Sequence, residues 1–245
     1  MPRFFIQLSY KGTAYSGFQV QKNSLTVQSA VESAFATIHR KEISLTGSSR
    51  TDAGVHALMN FFHFDADAIH PQFIYKMNAV LPHDIAIQAV YVMDEGRHCR
   101  FDARGRYYQY RLHRQKDPFL KEFSYYYPYR LNLELLREAA DILKSQTNFE
   151  GFSKTNSQVK NFNCLIRRSE WTETGGGLVY HIEANRFLRG MVRLITGTLL
   201  RVGREQLGME EFKLMLKMGE KAGFSVPAHG LYLVEVNYPE NYFPA

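Results

Sequence analysis

The sequence is poor in the residues that would mark several common classes of protein. Its 245 residues include only two cysteines, Cys99 and Cys164, and no C-x-x-C pair. A disulfide framework and a cysteine-rich metal site are therefore not expected. No H-E-x-x-H string is present. The seven-residue spacing of His56, His63 and His70 matches no single helix face, so no metal centre is expected. Gly12, Gly17 and the triplet Gly175-Gly176-Gly177 fit neither a phosphate-binding loop nor a dinucleotide fingerprint. No stretch approaches 18 uncharged apolar residues, and the opening Met-Pro-Arg-Phe-Phe-Ile-Gln lacks the apolar run of a signal peptide. The expectation is a soluble, cytoplasmic protein with no membrane partner. There is one tryptophan, against 18 phenylalanines and 15 tyrosines.

What remains is an ordinary globular composition, 45% hydrophobic and 22% charged, on a chain long enough to bury a sizeable core. Net charge is +6 and the pI is about 9.2, which favours an acidic partner, nucleic acid above all. The excess is uneven. Residues 1–104 carry 10 basic and 9 acidic side chains, residues 105–245 carry 20 and 15. An anion-binding surface should draw mostly on the second half.

Hydrophobic periodicity divides the chain into two halves of similar pattern. Strands are predicted at 3–10, 42–48, 57–65 and 84–93. A helix capped by Thr26, with Val27, Ala30, Val31, Ala34, Phe35 and Ile38 on its apolar side, falls among them, as does a short one opened by Pro71. Strands follow at 104–113, 163–172, 178–184 and 230–237. The helices of this half are one capped by Asn132, one from about 186 to 201, and one from about 209 to 220. Each half reads β-α-β-β-α-β. The predicted fold is α+β: two split-βαβ, ferredoxin-like halves, 1–103 and 104–245, with antiparallel sheets forming a central cleft and helices on the outer face.

Three segments stand out chemically. Arg50-Thr51-Asp52-Ala53-Gly54-Val55-His56 reads as a loop between two strands. Gly54 permits a positive φ there. Arg50 beside a dry Asp52 would keep the carboxylate ionised, ready to act as nucleophile or base; the same spacing also describes an Asx turn with a surface arginine. The second segment is 100–116, where Arg100, Phe101, Arg104, Arg106, Tyr107, Tyr108, Tyr110 and Arg111 interleave cations with rings. Strand alternation puts Arg104, Arg106, Tyr108 and Tyr110 on one side and Tyr107, Gln109 and Arg111 on the other. Such a strand can stack a splayed base while its arginines hold phosphates. The third is the predicted helix with Arg186, Arg189 and Arg193 three and four apart, a shared face, and no acidic residue before Glu205.

Further segments carry a resemblance. Tyr10-Lys11-Gly12-Thr13-Ala14-Tyr15-Ser16-Gly17-Phe18-Gln19, Thr26-Val27-Gln28, the Asp52 loop, Arg100-Phe101-Asp102-Ala103-Arg104 with Tyr108-Gln109-Tyr110, Phe187-Leu188-Arg189 with Met191-Val192-Arg193, and Pro227-Ala228-His229-Gly230-Leu231-Tyr232-Leu233 follow one another along most of the chain. Together they resemble the TruA family of tRNA pseudouridine synthases. The resemblance implies isomerisation of uridine to pseudouridine at positions 38, 39 and 40 of the tRNA anticodon stem-loop, with no metal or cofactor, by a homodimer. It implies that Asp52 is catalytic, that Arg50 positions it and the RNA backbone, that Tyr108 stacks on the target uracil, and that Arg193 pairs with the aspartate. Arg104, Arg106, Arg186 and Arg189 are the candidate RNA-binding cations. Ser49, Lys11, Phe18 and Asn148 depart from residues usual in the family. None of these is a proposed catalytic residue.

Overall fold

The computed structural model describes residues 1–154 and 160–244. The chain divides into two units, Met1–Arg104 with Leu233–Ala245, and Gly105–Tyr232. Both are mixed α and β, with mostly antiparallel strands.

The first unit runs β1 (Arg3–Tyr10), α1 (Val27–His39), β2 (Thr46–Gly47), β3 (His56–Asp65), α2 (Phe73–Val80), β4 (Ile85–Met93). Strand β1 lies between β4 and β3, antiparallel to both. The cap predicted at Thr26 is present, as a reciprocal capping box with Ser29. The strand expected over 42–48 shrinks to the two residues of β2. The reason lies in α1: Glu32 Oε1 accepts the Leu45 N–H at 3.0 Å and Gln28 Nε2 donates to the Leu45 carbonyl at 2.9 Å. Helix side chains thus satisfy backbone groups that a strand partner would otherwise take.

Strands β1 and β3 bury side chains on both faces, so simple alternation is lost. Phe4 and Phe64 share one face with Phe35 of α1 and Phe73 of α2. On the other face Phe5 and Phe61, with Tyr91 of β4, lie against Tyr238, Tyr242 and Phe243 from the end of the chain. The C-terminal segment does for that face what the helices do for the first.

The second unit contains β5 (Gly105–His113), β6 (Tyr125–Tyr126), α3 (Leu133–Ile142), β7 (Ile166–Thr174), β8 (Gly177–Ala184), α4 (Met191–Gly203) and α5 (Met209–Met218). Strand β8 lies between β5 and β7, antiparallel to both, and β6 adds a short parallel pairing to β5. Asn132 caps α3 as expected, accepting the N–H groups of Glu134 and Leu135. The closing strand β9 (Leu231–Asn237) begins in this unit and ends in the first.

The arginine helix needs a correction. It begins at Met191, not near 186, so Arg186 and Arg189 precede it and do not share a helix face with Arg193. Asn185 Oδ1 accepts the N–H groups of Leu165 and Arg186, turning the chain at the end of β8. Gly190 then takes φ +74°, a left-handed conformation that a helix cannot continue through. Helix α4 itself is buried along almost its whole length, with no face to spare for a row of solvated cations.

Candidate active site

Asp52 is half-buried in the turn that leads into β3, and Gly54 has φ +78°, the conformation expected of it. The turn is held at several points. Val55 N–H donates to the Asp52 carbonyl at 3.2 Å, and Phe18 N–H to the Thr51 carbonyl at 3.1 Å. Gly12 N–H donates to Nδ1 of buried His56 at 3.1 Å. A Cβ on Gly12 would lie 2.0 Å from the Val55 carbonyl oxygen. Only glycine lets the opening loop press so closely on the Asp52 loop.

Beneath the loop lies a buried polar cluster. Tyr10 Oη and Thr51 Oγ1 are 2.8 Å apart. Asn60 Nδ2 donates to Tyr10 Oη at 3.2 Å and to the Ser49 carbonyl at 2.8 Å, while Oδ1 accepts the N–H groups of Ser49 and Phe61. Tyr10 is read in the sequence only as part of a motif, and Asn60 is not singled out there. A polar residue inside the apolar run of β3 was the available signal.

Arg50, two residues before Asp52, is exposed. Partial desolvation, with the Arg100 guanidinium adding to it, lowers its pKa below the ordinary arginine value.

In the second unit, Tyr108 faces Ile182 across β5 and β8 and is buried, 8% exposed. Its ring meets Phe187 edge-on, with centroids 5.2 Å apart. Arg106 Nη1 donates to the Asn185 carbonyl at 3.3 Å. Arg193 lies in the first turn of α4, and its Nε donates to the Val226 carbonyl at 2.7 Å. Tyr110 Oη donates to the neighbouring Pro227 carbonyl at 2.8 Å. Three segments singled out in the sequence therefore meet around Tyr110, Arg193 and Pro227. Arg104 and Arg189 are exposed, and Arg186 is half-buried. The strand predicted over 104–113 starts at Gly105, so Arg100, Phe101 and Arg104 precede it and do not alternate with Tyr108 along it.

The evenly spaced histidines do not gather. His56, His63 and His70 each accept a different backbone N–H at Nδ1, from Gly12, Cys99 and Gln72. A separate group, His63, His98 and Cys99, brings one donor atom from each within 4.8 Å. Both Nδ1 atoms are engaged: His98 Nδ1 accepts the N–H groups of Arg100 and Phe101, and His63 Nδ1 accepts the Cys99 N–H and lies 3.1 Å from Cys99 Sγ. Arg3 also sets positive charge against both imidazoles. This group fits a hydrogen-bonded core cluster better than a cation site.

Comparison with known proteins bears on the whole chain. A family model described as tRNA pseudouridine synthase matches residues 7–102 and 139–239. The chain is 43% identical over 249 residues to tRNA pseudouridine synthase A of Parabacteroides distasonis, covering 100% of this chain and 99% of that one. It is 41% identical to the protein of the same name from Porphyromonas gingivalis, covering 99% and 100%. For the Bacillus subtilis protein of that name the identity is 39%, covering 94% and 97%.

Proposed function

Because the chain belongs to the tRNA pseudouridine synthase family and isomerises uridine to pseudouridine in tRNA, we propose that Asp52 is the catalytic residue and that the target uridines are those at positions 38, 39 and 40 of the anticodon stem-loop. The observation that carries the catalytic assignment is the Asp52 turn itself. It is a half-buried carboxylate on a backbone held by both the opening loop and the buried cluster under β3. A reacting group gains from being fixed in this way before substrate arrives.

The chemistry sets the requirements. The C1′–N1 bond breaks, a C1′–C5 bond forms, C5 loses a proton and N1 gains one. Product and substrate are isomers, so nothing is oxidised or reduced. The uracil must leave its stack, turn, and be held while detached, with water kept away. Asp52 has three chemically reasonable roles: attack on C1′, attack on C6, or removal of a C2′ proton. Tyr108 stacks on the uracil, with Phe187 holding its ring edge-on. Arg193 serves as the cation for the aspartate, and Arg50 meets the RNA backbone. Arg104, Arg106, Arg186 and Arg189 bind phosphates as separate contacts.

Residues 1–103, which hold the Asp52 turn, form the catalytic half, and residues 104–245 the RNA-contact half, although Arg104 and Leu233–Ala245 cluster with the unit of the Asp52 turn. Each is built on a split βαβ; the order β1-α1-β2-β3-α2-β4 supports this for the first. The enzyme acts in the cytoplasm as a homodimer.

The test is Asp52→Asn incubated with unmodified tRNA, with pseudouridine mapped by position. Loss of product at 38–40 with tRNA binding retained is the expected result. Product at wild-type rates would remove Asp52 from the mechanism, and product at other positions would remove the anticodon assignment.

A further inference from the structure

The buried cluster under the Asp52 turn is built more completely than a turn alone requires. Asn60 is 0% exposed and sits on β3 opposite Leu8 of β1, on the face that also carries Phe62 and Phe64. Both of its amide hydrogens and both acceptor positions of Oδ1 are used. Two of the four bonds go to the backbone of Ser49, the donor and the acceptor of one residue. The amide thus binds Ser49 as a neighbouring strand would, at a point where β2 has ended at Gly47. A third bond goes to Tyr10 Oη, which reaches Thr51 Oγ1. Ser49 and Thr51 flank Arg50, and Thr51 immediately precedes Asp52.

A buried amide on an apolar sheet face costs stability unless every polar atom is matched. Leu or Val at position 60 would suit the surrounding core. An asparagine there makes sense when its contacts hold something in place. We propose that Asn60, through Ser49 and through the Tyr10–Thr51 hydroxyl pair, is a positioning residue that sets the placement of Asp52 for the isomerisation. It touches neither substrate nor reacting atoms and acts on the rate through the backbone of residues 49–52. A small misplacement of a reacting group has a large effect on rate. This inference rests on the assignment of Asp52 as catalytic.

The experiment measures single-turnover pseudouridine formation and tRNA affinity for wild type, Asn60→Ala, Asn60→Gln, Tyr10→Phe, Thr51→Val, the Tyr10→Phe/Thr51→Val double variant and Asp52→Asn. Tyr10→Phe and Thr51→Val each remove one hydroxyl and little volume, so they report even if Asn60→Ala does not fold. Each is expected to slow the reaction about tenfold, on the scale by which displaced groups lose rate, with tRNA affinity within about twofold of wild type. The double variant should be no slower than either single one, because the two hydroxyls form one link. Asn60→Gln, which keeps the amide, should be faster than Asn60→Ala wherever both fold. Wild-type rates in Tyr10→Phe and Thr51→Val overturn the inference, as does a multiplicative loss in the double variant. If Asp52→Asn is inactive while these rates are normal, only the positioning role fails. If Asp52→Asn is active, the catalytic assignment fails first.

Discussion

Gly12→Ala puts the coupling between the opening loop and the Asp52 turn to its strongest test. The new Cβ would stand 2.0 Å from the Val55 carbonyl oxygen, 2.6 Å from its carbon and 3.0 Å from its nitrogen. All three atoms are backbone, so no side chain can rotate away. Since carbon and oxygen do not approach within about 3 Å, the two segments must part by roughly 1 Å. Val55 N–H donates to the Asp52 carbonyl, so the displacement passes to the Asp52 backbone, while the Gly12 N–H bond to His56 is strained with it. Overpacking of this kind costs about 1–3 kcal/mol, which lowers Tm by roughly 3–10 °C in a protein of this size. A 1 Å misplacement at the reacting group costs about a hundredfold in rate. The assay is single-turnover pseudouridine formation with enzyme in excess, beside tRNA affinity and thermal unfolding. Rate should fall about a hundredfold while tRNA affinity stays within about threefold. Gly96→Ala is the control, because a Cβ there meets nothing within 4 Å. A folded Gly12→Ala enzyme that works within about twofold of wild type would show that Val55 and Asp52 do not move together, and the reasoning would fail.

Two further outcomes are expected. Burial, then the nearby charges of His98 and Arg3, lowers the pKa of His63 from 6.5 to about 4. The folded protein therefore resists a proton that the unfolded chain accepts. The stability due to neutral His63 is complete above about pH 6.5 and is lost as the pH falls towards 4, by roughly 3 kcal/mol in all. Urea unfolding of wild type and His63→Gln at pH 7.5 and 4.5 measures this, and an equal fall in both would assign the effect elsewhere. Second, if Arg189 contacts a phosphate, Arg189→Gln should weaken tRNA binding and flatten the slope of log affinity against log salt by about one; an unchanged slope in a salt titration would remove it from the RNA surface.

Much of the fold follows from local chemistry. Thr26 and Asn132 are caps whose side chains bond to N–H groups two or three residues on, and such contacts can be read along the chain. The loop nature of the Asp52 segment and the positive φ of Gly54 are legible for the same reason. Errors appear where a distant group intervenes. Residues 42–45 have the composition of a strand, but Gln28 and Glu32 take the backbone groups of Leu45. Arg186, Arg189 and Arg193 have helical spacing, but Asn185 is bonded to Leu165, twenty residues earlier, and Gly190 breaks the run.

Amino-acid order by itself determined the family, the location of the Asp52 turn and most of the helices and strands, because these depend on residue types at short spacings. Tertiary structure alone decided what surrounds that turn. The distance from Asn60 to Tyr10 and Ser49, the contact of Gly12 with Val55, and the covering of Phe5 and Phe61 by the chain's last residues join segments far apart in sequence. Hydrogen bonds and close packing reach only a few ångströms. Which residues come within that reach is settled when β1 and β3 pair and the chain's end folds over their sheet.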